Sequence, residues 1–424
     1  MTNHATRRAV ALAAAAVLAT GISACGGAAD DGKTRIVVAT FSDFGYEELF
    51  ADYEKAHPNI KLEARKLEFD AHHQQLATQL AGGRGAADIV AIEEGWMPQF
   101  RTSKDKFVNL AELGAKDLKS QWVPWKWQQG IVDSDDFVMG LGTDMGSLAM
   151  CYRKDYFAEA GLPTDREEVS KLWPTWADYA KVADRFKERK ADIKFAGSAE
   201  NIYMSMINQA GEGYFAKSND GFIGDTNPKV KEAFMLAGEL GAKGQTSGTK
   251  PFTPEWTVGL KQGKFATETC AAWALAQIKD GSGEGAAGKW DVAAIPGGGG
   301  NWGGSFLTVP KQGKNTKEAY EVAKYLTAPA QQKRIFAETG NLPSQPEVYK
   351  DPEVLNKTNA FFNNAPVGQI YAASADGLQP NYRGTKDSKV RPRFNDALAR
   401  IEQGKSSPAV AFDEAVSQSR NEVK

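Results

Sequence analysis

The sequence predicts an α/β protein, and two observations near its start carry that prediction. Strand-like and helix-like spacings of apolar residues follow one another as strand, helix, strand, helix, strand over residues 35–92. Breakers stand where elements should stop, at Pro58 and at Gly82-Gly83. Such an order argues for a largely parallel sheet, whose ligands bind in crevices beyond the carboxyl ends of strands.

Arg35-Ile36-Val37-Val38-Ala39 reads as the first strand. Over residues 44–56, Tyr46, Leu49, Phe50 and Tyr53 fall at i, i+3, i+4 and i+7, one face of a helix that Pro58 ends. Ile60-Lys61-Leu62-Glu63-Ala64 alternates as a second strand, and Asp70 is placed to cap a helix that runs to Leu80 and stops at Gly82-Gly83. Residues 87–92 form the third strand, so the crevice loops are 40–45 and 93–98. Thr175-Trp176-Ala177-Asp178 is a capping-box variant opening a helix with Tyr179, Val182 and Phe186. Further helices are expected over 201–210, 230–240, 316–327 and 331–339. The stretch from Gly297 to Gly304 lacks the Lys-Ser/Thr ending of a phosphate-cradling loop and reads as a flexible connection holding Trp302.

The chain has 424 residues, with 51 basic and 53 acidic side chains and a formal net charge of −2. That length allows about two or three domains with ordinary cores. No basic concentration is present to neutralise phosphates, so nucleic acid is excluded as a partner. Residues 1–24 have the form of a secretory signal: Arg7 and Arg8, an apolar run over 9–19, then small residues. The run is too short to span a bilayer, and no later stretch of about 20 residues is continuously apolar. Ile22-Ser23-Ala24-Cys25 resembles the bacterial lipobox, which makes Cys25 a lipidated anchor at the outer face of the cell membrane and residues 25–33 a tether. Cys151 and Cys270 lie in strand-like apolar runs; export permits a disulfide, and two separate buried thiols fit equally.

Several loose motifs occur in a specific order. The opening strand precedes Phe44-Gly45-Tyr46 and a helix; then come Ala87-Asp88-Ile89-Val90, Gly140-Leu141-Gly142-Thr143-Asp144 leading to Tyr152-Arg153-Lys154-Asp155, and Trp302-Gly303-Gly304-Ser305-Phe306. In that order they resemble the extracytoplasmic sugar-binding proteins of ABC importers, the maltose-binding-protein-like family, over essentially the whole chain after the leader. The resemblance implies a two-lobed periplasmic-binding-protein fold with three interlobe crossings, near 141–146, 305–310 and 349–361. It divides the chain into 34–142 plus 308–352 and 143–307 plus 353–424. Gly142 stands where many relatives carry proline. The resemblance also implies a monomer with no cofactor or metal, an ABC permease as partner, and an oligosaccharide ligand. The sequence is most similar to cello-oligosaccharide binders, so cellobiose or cellotriose leads, with maltose- and xylobiose-type sugars behind; a non-sugar solute such as a polyamine is the second class.

Sugar chemistry selects candidate residues independently. A pyranose offers an apolar C–H face to stack on an aromatic ring and a rim of hydroxyls that donate and accept hydrogen bonds. Micromolar binding needs about 8 kcal/mol, more than one aromatic contact supplies, so polar groups must share the task. Trp302 lies among glycines with no periodicity placing it in a core, and is the first candidate. Trp273 falls where the family carries a stacking Trp after a strand, with a core role as its rival. Glu94 and Trp96 occupy one carboxyl-end loop, and Phe41, Asp43 and Phe44 the other, where Asp43 could instead cap the next helix. Glu200, Asn201 and Tyr203 match the region of a stacking Tyr in the family; Asp144 binds a hydroxyl or braces the hinge; Tyr371 and Arg383 complete the set. Trp122, Trp125 and Trp127 read as structural packing. A glycosidase with two acids flanking the bond is the enzymatic alternative and is disfavoured, since carboxylate pairs are too common here to single one out. Hydrolase triads and zinc peptidases lack their parts, as no Gly-x-Ser-x-Gly elbow and no His-Glu-x-x-His run is present, and His72-His73, adjacent on a helix, should point different ways and form no two-ligand metal site.

Overall fold

Two sheets, each flanked by helices, organise residues 32–424, the part of the chain described by the computed structural model. The leader, Cys25 and the tether as far as residue 31 lie outside the described residues. Strands β1 (Thr34–Thr40), β2 (Ile60–Lys66) and β3 (Ile89–Glu93) pair in parallel, Thr34 opposite Ile60 and Val38 opposite Ile89. After a hairpin of β4 (Ile131–Val132) and β5 (Ser134–Val138), β6 (Gly140–Gly142) forms an edge of the first sheet. The second sheet holds β7 (Leu148–Arg153), β8 (Lys194–Ala196), β9 (Phe265–Ala271) and β10 (Trp290–Ala293), and β11 (Ser305–Thr308) returns to the first. Their orders are β2-β1-β3-β11-β6 and β10-β7-β9-β8.

The expected parallel pairing holds for β1 to β3 and for β8 with β9, but β11 is antiparallel to β3 and β6, and β7 to β9 and β10. Parallel neighbours come from crossovers within one sheet. Strands β7 and β11 are instead entered from the other sheet.

Period-two alternation sends each strand's side chains into two different cores. Ile36 and Val38 pack with Leu49, Leu62 and Tyr320, whereas Ala39, Val90 and Ile92 face Leu76 and Phe100 on the opposite side. In the second sheet Met150 and Tyr152 join Phe157, Phe186 and Phe394, while Ala149 and Cys151 meet Trp256, Trp290 and Phe362. Each such full burial of a large apolar side chain stabilises the fold by roughly 1.5–3 kcal/mol. Cys151 and Cys270 form a disulfide between neighbouring strands, their Cα atoms 5.9 Å apart.

Local signals mostly act where the sequence puts them. Thr175 accepts from the Asp178 N–H at 3.2 Å and donates its hydroxyl to that carboxylate at 2.7 Å. Gly83 closes the helix Phe69–Gly82 at φ 69°. Asp70 lies inside that helix's first turn, favourable to its dipole, rather than at the cap. The helix expected from residue 44 starts later, as Glu47–Ala56, because the Gly45 N–H donates to Asp43 Oδ1 at 2.9 Å and holds a turn. His72 and His73 do not diverge: both are buried, since the covered face of their helix is wide enough for adjacent positions. The Glu93 N–H donates to His73 Nε2 at 3.1 Å, so Nδ1 carries the proton that goes to Phe69 O at 2.7 Å. Trp122 and Trp127 are buried and stack at 5.7 Å as packing residues.

Candidate ligand-binding cleft

The segments joining the sheets meet at Gly146 and Trp302. The Trp302 N–H donates to Gly146 O at 2.8 Å, and the Gly146 N–H to Asn301 Oδ1 at 2.8 Å. A Cβ on Gly146 would lie 1.6 Å from Trp302 O, so only glycine fits. The stretch expected to be a flexible connection is tied down: Gln209 Nε2 donates to Pro296 O at 2.9 Å and to Gly299 O at 2.8 Å. Asn301 Nδ2 donates to Glu94 Oε2 at 2.7 Å and to Gly303 O at 2.8 Å. Gly300, Gly303 and Gly304 adopt positive φ, which lets this path turn tightly enough to present Trp302.

Trp273 follows β9, half-buried, and its indole Nε1 donates to Trp302 O at 2.9 Å; Trp302 is half-buried beside it. The Phe252 ring lies 5.1 Å from that of Trp273 and 5.9 Å from that of Trp302. On the first sheet, Trp96 is half-buried and stacks on His73 at 4.9 Å with planes 8° apart.

Charge is concentrated where the two halves touch. Glu94 accepts from Asn301 and from Gln129 Nε2 at 3.2 Å, and the Gly95 N–H donates to Glu93 Oε2 at 2.8 Å. Burial pushes both carboxyls above their ordinary range, against the pull of Arg383 and Lys126. Lys126 is fully enclosed, its ammonium 4.1 Å from the Phe306 ring centroid; burial lowers its pKa while Asp144, Glu94 and Glu93 oppose the shift. Asp144 Oδ1 accepts from Thr143 Oγ1 at 2.8 Å and from the Ser305 N–H at 3.2 Å, bracing the junction. From the C-terminal part, Arg383 donates to Asn208 Oδ1 at 2.6 Å and pairs with Asp387 at 3.3 Å. Ser388 Oγ donates to Gln99 Oε1 at 2.8 Å, a direct contact between the halves.

Of the remaining candidates, Phe41 adjoins Trp96 through His73, and the others are enclosed in the lobes or lie at their surface. Tyr203 has no exposed surface and packs against Phe234 and Phe394. Tyr371 is equally enclosed, its hydroxyl donating to Cys270 O at 3.3 Å. Asn201 is buried and donates to Glu268 Oε1 at 2.6 Å, and Glu200 accepts from Asn395 at 2.8 Å. Phe44 packs in the first lobe's core, where apolar contact favours its ring over a solvent-facing loop position. Phe41 is half-buried against Phe44, Phe69 and His73, and Asp43 is exposed at its turn. Sequence reasoning missed Asn301 and Lys126 as parts of the junction. A lone amide inside a glycine run, and a lysine between two tryptophans, were the available signals.

Two αβ lobes, joined at a junction where half-buried indoles lie beside buried carboxylates, define a two-lobed binding-protein fold. The chain belongs to the bacterial extracellular solute-binding proteins, whose family model matches residues 48–363. It is therefore an extracytoplasmic binding protein and not an enzyme. The arabinooligosaccharide-binding protein of Bacillus subtilis (strain 168) is 24% identical over 420 residues, covering 93% of this chain and 94% of that protein. A crystal structure of an extracellular solute-binding protein family 1 member superposes with a TM-score of 0.84 at 39% identity, over 92% of this chain and 100% of the other. The ABC transporter associated binding protein from B. animalis subsp. lactis Bl-04, in complex with beta-1,6-galactobiose, gives a TM-score of 0.78 at 24% identity over 92% and 97% of the two chains. Among the described residues, no group of three or more His, Cys, Asp or Glu side chains is placed to hold a metal ion, and no helix is long and apolar enough to cross a membrane.

Proposed function

We propose that the protein captures an oligosaccharide between its lobes and delivers it, as a monomer, to the permease of an ABC importer, held at the membrane by lipid on Cys25. The observation that carries this reading is the linked pair of half-buried indoles, Trp273 and Trp302, beside the buried carboxyl of Glu94. Indoles take the C–H face of a pyranose, and carboxylates and amides take its hydroxyls. Relatives named for arabino- and galacto-oligosaccharides, and a structural neighbour holding galactobiose, support a sugar over a polyamine. Within that class cellobiose or cellotriose is our leading ligand, on resemblance of the sequence to cello-oligosaccharide binders; maltose- or xylobiose-type sugars are the alternative.

We assign ligand-facing roles to Trp96, Glu94, Asp144, Trp273, Trp302 and Arg383, and lobes to 34–142 plus 308–352 and 143–307 plus 353–424. Passage of the chain between sheets after Gly142 and before Ser305 supports two of three crossings. A ligand that touches both lobes only when they are shut supplies the differential affinity that closure needs. Thermal-shift and calorimetric titration with cellobiose, cellotriose, maltose, xylobiose, an arabino-oligosaccharide, galactobiose and spermidine tests the reading: a response to spermidine alone overturns it. Release of a Cys25→Ser variant from the membrane fraction tests the anchor.

A further inference from the structure

Phe252 combines two features that do not serve folding. It is 40% exposed, one of three large hydrophobic side chains so exposed among the described residues, and its backbone stands at φ 62°. Exposure forfeits burial, and a left-handed backbone is strained for a bulky side chain. Strain of this kind persists only where the surroundings over-determine it, and it gathers at ligand sites. Here Pro251 and Pro254 bracket the turn, and Thr253 Oγ1 donates to Lys250 O at 2.7 Å while capping the helix Pro254–Lys261. The ring is thereby held against Trp256 at 5.2 Å, Trp273 at 5.1 Å and Trp302 at 5.9 Å, its plane 81° from that of Trp302.

We infer that Phe252 is a ligand-contacting residue, a third aromatic wall that meets the edge of a pyranose stacked on the cleft indoles and so helps set which ring substituents the site admits. The inference rests on the oligosaccharide reading. A wall nearly perpendicular to a stacking surface touches the rim of the sugar, where a hexose carries its C6 hydroxymethyl group and a pentose carries only hydrogen. Phe252 therefore acts on the discrimination between hexose- and pentose-based oligosaccharides as well as on affinity.

The test is calorimetry of the wild-type chain, Phe252→Asn and Phe252→Tyr with hexose- and pentose-based oligosaccharides, beside thermal unfolding of each empty protein. Asparagine tolerates the left-handed backbone without supplying a ring; tyrosine keeps the ring. The Asn variant should lose about tenfold in affinity for a hexose-based ligand and shift the hexose-to-pentose ratio about threefold toward the pentose, which lacks the C6 group that meets the ring, while Tyr stays within about twofold of wild type. Wild-type affinity and ratio in the Asn variant, with the wild-type protein binding sugar, overturn this inference alone. A uniform loss across all sugars accompanied by lowered thermal stability also overturns it, by assigning Phe252 to folding. A wild-type chain that takes no sugar overturns the oligosaccharide reading and this inference with it.

Discussion

The indole N–H of Trp273 donates to the backbone carbonyl of Trp302 at 2.9 Å, which locks a side chain following β9 to the segment that re-enters the first sheet. Gly146, on the other connecting segment, accepts from the Trp302 N–H at 2.8 Å and lies so close to the same carbonyl that a Cβ there would fall 1.6 Å from Trp302 O. The two aromatic rings are thus set by one junction.

Replacing Trp302 with Ala should weaken oligosaccharide binding by about tenfold or more, the loss of one stacked aromatic. Calorimetry reads the affinity, and thermal unfolding of the empty protein should move little because the ring is half-buried. Unaltered affinity would remove Trp302 from the site.

Gly146→Ala places a methyl against Trp302 O and must shift both connecting segments. A cost of about 1–3 kcal/mol in urea unfolding is expected, together with weaker sugar binding. A variant as stable as wild type would show that the junction relaxes freely.

Burial pushes the Glu268 carboxyl up to about 8. The unfolded carboxyl titrates near 4.3, so between those values the folded chain binds more protons than the unfolded one, and this group's contribution to stability falls as pH rises. His73 acts oppositely: burial holds it down to about 3, so its contribution is present above about 6.5 and is lost as pH falls. Comparing Glu268→Gln with wild type cancels the His73 part. The variant should gain relative stability from about pH 5 to pH 8 in urea unfolding, and a constant difference between the two proteins would refute the assignment.

Removing the Cys151–Cys270 link, by reduction or by a double Cys→Ala replacement, should cost about 2–4 kcal/mol, since the bridge closes a long loop in the unfolded chain. Thermal unfolding with and without reductant measures it; identical curves for wild type would mean the bond does not constrain the chain.

How far the site was legible depends on the range of the interactions that build it. Trp302 stood out because glycines on both sides leave it no helical or strand period, and the path of that segment depends on those glycines. Tyr203 looked equally available on its helix, yet Phe234 and Phe394 enclose it, and neither neighbour is near it in the chain. Asn301 bridges to Glu94 across 207 residues, a contact that no local pattern announces.

The order of strands and helices, the Thr175 cap, the Gly83 stop and the alternation of Ile36 to Ala39 into two cores were set by the sequence alone, because periodicity and backbone preference act within a few residues. Tertiary structure alone decided the antiparallel entry of β7 and β11, the pairing of Cys151 with Cys270, and which aromatic rings stay half-exposed beside the carboxylates. Those outcomes depend on which distant surfaces compete to bury each side chain, and that competition is resolved only when the two sheets and their connecting segments are packed together.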